Sequence, residues 1–117
     1  MDRRERKAHE LLGQVVTVQV DRPIGYSHGD IVYPINYGYI PGIIAGDGEE
    51  QDAYILGVDE PLGSFTGRVV GVIRRHNDRE DKLAVAPEGQ AYSREEIAAA
   101  THFQEQYFIS TIDCLFR

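Results

Sequence analysis

Four carboxylates fall within six residues at Asp47-Gly48-Glu49-Glu50-Gln51-Asp52. Gly48 permits a tight turn that folds Asp47 and Glu49 back toward Asp52, and like charges drawn that close repel strongly unless a cation lies among them. A hard divalent ion with oxygen ligands is the natural partner. The ligand positions and central glycine of an EF-hand calcium loop do not match. An acidic hairpin turn open to solvent suits the same spacing. A second acidic group, Asp78, Glu80 and Asp81, precedes Lys82. In isolation such a group is an exposed loop. If the two loops face one another, paired carboxylate clusters can hold two or more metal ions, acidify a bridging water and clamp an in-line displacement at phosphorus. Just upstream, Tyr33, Tyr37 and Tyr39 offer hydroxyl donors to phosphate oxygens without adding charge, and Lys82 adds a point cation. Tyr33 and Tyr39 also fit as core aromatics with their hydroxyls at the edge.

The elements that must position these residues are mostly strands. In Gln14–Val20, Val16, Val18 and Val20 share one face while Thr17 and Gln19 take the other, the period-two mark of a half-buried strand. Asp52–Val58, Thr66–Arg74 and Lys82–Ala86 read the same way, separated by turn signals at Asp21-Arg22-Pro23, Gly46-Asp47-Gly48, Glu60-Pro61-Leu62-Gly63 and Pro87-Glu88-Gly89. Short strands at this spacing predict a sheet curled into a small barrel. Ser93-Arg94-Glu95-Glu96 is a capping box, and Ile97, Ala100, Phe103 or Gln104, and Tyr107 continue it as a helical stripe against the barrel. Thr111–Arg117 suits a last strand or a trailing end. The expectation is a mainly β, α+β domain at 13–117, preceded by an N-terminal extension at 1–12 that reads as a short helix ended by Gly13 or as a frayed tail.

Composition narrows the function. A chain of 117 residues makes one domain. Twelve basic against nineteen acidic residues give a net charge of −7, which argues against nucleic-acid binding. The mixed charges of Arg3, Arg4, Arg6 and Lys7 read as a solvated run rather than a phosphate-grasping arm. The single cysteine, Cys114, allows no internal disulfide and points to a reducing cytoplasm. No apolar run approaches the roughly 20 residues that cross a bilayer, and no secretory signal follows the charged start. His9, His76 and His102 show no zinc-ligand spacing.

Tyr33–Ile40 (YPINYGYI) followed by Asp47–Gly57 (DGEEQDAYILG) resembles the core of the family I soluble inorganic pyrophosphatases. That family's pattern is an aromatic-Pro-x-Asn-Tyr-Gly-Tyr segment, then Asp-x-Asp-Pro-x-Asp-x leading into a strand. Arg68–Arg75 with Lys82–Pro87 is similar to its later strand pair, and His102–Phe108 to its His-Phe-Phe-x-x-Tyr-Lys helix segment. The likeness covers about Gln14 to Phe108. It implies an OB-like, five-stranded barrel with a C-terminal helix. It also implies hydrolysis of pyrophosphate to two phosphates by a metal-bridged water, with Mg2+ or another divalent ion, and a cytoplasmic homo-oligomer, commonly a hexamer. Carried across by resemblance, Asp47 and Asp52 match metal aspartates, with Asp78, Glu80 and Asp81 as candidates for the later ligands. Glu49 falls at the general base, and Tyr37, Lys82 and Tyr107 match phosphate contacts.

The departures from the pattern bear on the substrate. Glu49 replaces an aspartate, adding a methylene, and Gln51 replaces an apolar residue. Asn77–Lys82 is about two residues short. The family's hairpin between Val20 and Tyr33, which bears a lysine, a glutamate and an arginine, is reduced to DRPIGYSHGDIV, and the lysine after the helix tyrosine is Phe108. Fewer cations facing a tetra-anionic substrate weaken binding and leaving-group stabilisation by several kcal/mol, on the order of one oxyanion contact. Arg22, His28, Arg74 and Arg75 could compensate, or could be ordinary loop and outward strand residues. Besides the pyrophosphatase, two readings stay open: a hydrolase of another phosphorylated small molecule or nucleotide, and a non-catalytic binding relative.

Overall fold

A computed structural model describes residues 8–78 and 80–115. Its strands are β1 (Val15–Arg22), β2 (Ser27–His28), β3 (Ile31–Val32), β4 (Tyr37–Ile44), β5 (Glu50–Ile55), β6 (Ser64–Arg75), β7 (Asp81–Ala86) and β8 (Ser110–Cys114), with helix α1 (Arg94–Glu105) before the last. Strands β1, β4, β5, β7 and β6 pair in that order, and β6 closes back on β1. The result is a five-stranded barrel in which only β5 and β7 run parallel. β6 is long enough to serve three partners: β1 along its first residues, β7 along most of its length, and β8 beyond the bulge at Val69/Gly71.

Strand alternation sorts the barrel wall into two apolar layers. Val16, Val18, Ala53, Ile55, Val69, Val72, Leu83 and Val85 fill the interior. Their neighbours Tyr37, Tyr54, Leu56, Val70, Ile73, Ala84 and Ala86 face outward and are covered by α1 and by the loop carrying Tyr33. Gly71 lets the helix settle: a Cβ there would stand 2.7 Å from Ile97 Cδ1. Both faces are therefore apolar across much of the wall, so the period-two signal fades in β5 and β7. The candidate residues follow the same parity. Asp52 shares the outer face with Tyr54, Lys82 shares it with Ala84, and Asp81 shares the inner face with Leu83.

Several elements differ from the sequence reading. Tyr37–Ile44, which the sequence reading assigned to no strand, is a full strand. The shortened segment after β1, too short for the family's hairpin, still forms a small one, with Ser27 opposite Val32 and His28 opposite Ile31. The alternative of a final strand at the C-terminus is realised in β8. Residues 8–11 form a helical turn closed at Gly13, which has a positive φ of 87°. Ala8 is buried in the interior cluster, and Leu11 and Leu12 pack on it. Arg3, Arg4, Arg6, Lys7 and Phe116 lie outside the described residues.

The capping box at Ser93 is present in both directions, Glu96 N–H donating to Ser93 Oγ (3.1 Å) and Ser93 N–H to Glu96 Oε1 (2.9 Å). The buried line of the helix is Ile97, Thr101 and Glu105, at four-residue spacing, with Ala100 and Phe103 partly buried beside it. Tyr107 does not complete the stripe: it follows the helix end and is 65% exposed. A carboxylate, Glu105, takes the innermost position of the last turn instead.

Candidate active site

The two acidic loops meet. Lys82 Nζ, almost wholly buried, donates to Asp52 Oδ2 at 2.6 Å and pairs with Glu80 Oε2 at 3.0 Å, which joins β5 to the β6–β7 loop. Asp47, from the turn between β4 and β5, comes within hydrogen-bonding reach of the same Glu80 carboxyl. Tyr37 Oη donates to Asp52 Oδ2 at 2.9 Å, and its ring lies 5.6 Å from Lys82 Nζ. Burial first, then the Asp52 charge, pushes the Tyr37 hydroxyl well above its usual range, so it remains a proton donor. Burial also raises Glu80, as does its hydrogen bond to Asp47, against the pull of Lys82 and Arg75. Burial opposes charge on Asp47 too, but hydrogen bonds from the Glu49 amide and from Glu80 outweigh it and hold Asp47 below its ordinary value.

A second charged group lies deeper, in which Arg75, Asp78 and Glu80 figured among the sequence candidates and Glu105 did not. Arg75, expected to face outward or to grip phosphate, is only 2% exposed. Its Nε and Nη2 donate to the two oxygens of Glu105 at 3.0 and 2.6 Å, while Nη1 reaches Asp78 Oδ2 at 3.3 Å and Glu80 Oε1 at 3.2 Å. The ring of Phe108 lies 3.6 Å from its Cζ. Burial works against this guanidinium's charge, but Glu105 more than compensates and raises its pKa. From Glu105 a chain of side-chain hydrogen bonds runs along the outer layer. Tyr54 Oη donates to Glu105 Oε2 (2.6 Å), Gln104 Nε2 donates to Tyr54 Oη (2.8 Å), Tyr33 Oη donates to Gln104 Oε1, and Arg22 Nη1 donates to Tyr33 Oη (2.5 Å). Glu105, Gln104 and Tyr54 carry no sequence signal of this role, because the partners lie 30 to 71 residues apart.

The remaining candidates separate. Glu49 is exposed on the turn, its amide donating to Asp47 Oδ1 at 3.0 Å; Gly48, with a φ of 88°, makes that turn possible. Asp78 and Glu80 are drawn together by Arg75, whereas Asp81 is buried on the opposite face of β7 from Lys82. Gln51 explains its own departure from an apolar residue: its buried amide donates to the carbonyls of Asp81 (2.7 Å) and Asp52 (3.0 Å), tying the two acidic strands together. Asn36 is structural, accepting from Ile24 and Leu62 amides and donating to the Glu60 carbonyl. Of the other suggested cations, Arg74 pairs with Asp113 at 3.1 Å, His28 is exposed, and Arg22 lies among the rings of Tyr26, Tyr33 and Tyr37.

The donor set fits a hard divalent ion in kind, since Asp47, Asp52 and Glu80 present only oxygens and come from two loops that touch. Among the described residues, no three His, Cys, Asp or Glu side chains surround a single ion position. The carboxylates meet in pairs, with Lys82 or Arg75 between them.

The inorganic pyrophosphatase family model matches residues 3–116. The chain belongs to the inorganic pyrophosphatase family. Members of this family depend on metal ions. The chain is 29% identical over 92 residues to the inorganic pyrophosphatase of Rhodospirillum rubrum, covering 70% of this chain and 51% of that one. It is 31% identical to the soluble inorganic pyrophosphatase of Hordeum vulgare, covering 73% and 42%. The pyrophosphatase match thus spans about half the length of these relatives. In structure it is similar to the inorganic pyrophosphatase from Ehrlichia chaffeensis, with a TM-score of 0.70, 18% identity, and 89% and 88% of the two chains covered. The pyrophosphatase from Coxiella burnetii superposes with a TM-score of 0.63 at 18% identity, over 88% and 86%. These likenesses carry the OB-like barrel that the motifs imply. No described helix is long and apolar enough to cross a membrane.

Proposed function

We propose that this chain hydrolyses inorganic pyrophosphate to two phosphates, with Mg2+ as its preferred ion. The observation that carries this reading is the meeting of Asp52 in β5 and Glu80 in the β6–β7 loop on Lys82, with Asp47 beside Glu80 and the Tyr37 hydroxyl on Asp52. Bound divalent ions would sit among Asp47, Asp52 and Glu80 and supply Lewis-acid charge to the phosphoryl oxygens and the attacking water. Lys82 places a fixed positive charge where a phosphate oxygen becomes more negative, and Tyr37 adds a neutral donor. Glu49, on the exposed turn, accepts the proton as the water oxygen bonds to phosphorus and the bridging P–O bond breaks. Its extra methylene is accommodated because a turn at Gly48 adjusts more readily than a strand. Tyr107, exposed past α1, contacts the leaving phosphate in this reading.

Phosphate release from pyrophosphate with Mg2+ tests the proposal. Asp52→Asn should reduce the rate by about 10²-fold or more, since it removes charge at the centre of the constellation. Wild-type protein with no turnover of pyrophosphate would sink it. A second reading, hydrolysis of another phosphorylated small molecule or nucleotide, is favoured by the reduced β2–β3 hairpin, whose strands have only two residues each. A panel of phosphate esters decides between the two. The same reading places the protein in the cytoplasm as a homo-oligomer, a hexamer by resemblance, and exposed Val32 and Ile109 are available for such contacts. Light scattering gives the oligomeric state.

A further inference from the structure

We propose that Arg75 is a resident cation, holding a place among the acidic side chains that a divalent ion would otherwise take, so that this chain binds fewer metal ions than its carboxylates would accommodate. This rests on the metal-binding reading of the acidic loops. The guanidinium faces three carboxylates from different parts of the chain: Asp78 (3.3 Å) and Glu80 (3.2 Å) in the β6–β7 loop, and Glu105 (3.0 and 2.6 Å) at the end of α1. Its donors form a rigid planar fork, and here both edges of the fork are engaged. Phe108 covers one face of the plane at 3.6 Å. An incoming phosphate would meet the surrounding carboxylates before the guanidinium, so Arg75 is poorly placed to grip substrate. It is well placed to neutralise.

The consequence falls on Asp78 and Glu80. A carboxylate already paired with a buried guanidinium offers less negative potential to an entering ion, and arginine cannot relieve this by losing its proton. Glu80 is engaged twice, one oxygen on Arg75 and the other on Lys82. Asp78 therefore serves Arg75 rather than a metal, and the ion-binding oxygens are left to Asp47, Asp52 and the Lys82 side of Glu80.

The number of bound Mn2+ ions per chain, read by electron paramagnetic resonance and calorimetric titration, tests this without reference to turnover. The double variant Arg75→Met/Glu105→Gln removes both charges of the buried pair together, and it should bind one more Mn2+ than wild type. Asp78→Asn should leave the wild-type count unchanged and abolish the added ion in the double variant. An unchanged count in a double variant with wild-type circular dichroism overturns the proposal. So does loss of an ion on Asp78→Asn in the otherwise wild-type chain, an arm that decides the matter even if the double variant does not fold. A wild-type chain that binds no Mn2+ at millimolar concentration refutes the metal-binding reading instead, a result distinct from the difference between the chains.

Discussion

The turn between β4 and β5 and the cluster around Arg75 are both built from carboxylates, yet they solve the charge problem in opposite ways. Asp47, Glu49 and Glu50 are exposed, and their local bonds are made to backbone: the Glu49 amide to Asp47, the Gly42 amide to Glu50. Water screens their repulsion, and the site stays open to an ion from solution. Asp78, Glu80 and Glu105 instead surround a buried guanidinium supplied by the chain. Removing those charges from water is costly, and only a well-hydrogen-bonded counter-ion offsets it. The open cluster suits exchangeable cations, while the closed one fixes the end of α1 to the barrel.

If this contrast is right, breaking the closed cluster should cost the most. Glu105→Ala leaves Arg75 buried with its best partner gone and should destabilise the fold by about 3–5 kcal/mol in urea titration, a large share of the total stability of a domain this size. A loss under 1 kcal/mol would mean water already reaches the guanidinium. Next comes the open cluster with metal. Raising Mg2+ to about 100 times its dissociation constant should stabilise wild-type protein by roughly 2.7 kcal/mol, a gain that EDTA reverses and Asp47→Asn diminishes in thermal melts.

Acid should sharpen the comparison further. Glu80 has a raised pKa in the folded state, so its contribution to metal-free stability is fully present below the ordinary carboxylate value and is lost as pH rises through the raised one. Asp47, held low, acts in the opposite sense, its contribution disappearing as pH falls through its lowered value. Glu80→Gln should flatten the first of these slopes in melts without metal. The smallest effect belongs to Asp47→Asn in metal-free protein, within about 0.5 kcal/mol of wild type, as expected of an exposed turn. A large change there would mean the turn is not as open as its exposure indicates.

Much of this was legible from residue order alone. Alternation in Val16-Thr17-Val18 marked β1, the Ser93/Glu96 spacing marked the start of α1, and the order of Tyr37, Asp47, Asp52 and Lys82 carried the family resemblance. Local rules govern each of these, since side-chain period and capping need only near neighbours. β4 escaped because Gly38, Pro41 and Gly42 interrupt the alternation, although its partners β1 and β5 supply the ladder that holds it.

The sequence by itself determined the strands of the barrel wall other than β4, the helix start and the stock of carboxylates, tyrosines and lysine from which a phosphate site could be made. Only the tertiary structure decided which of them meet. Strand parity turned Lys82 toward Asp52 and Asp81 away from both, and the packing of α1 on β6 delivered Glu105 to Arg75 across 30 residues of chain. Pairing of buried charges depends on distance through space and on exclusion of water, and neither is written in the spacing of residues along the chain.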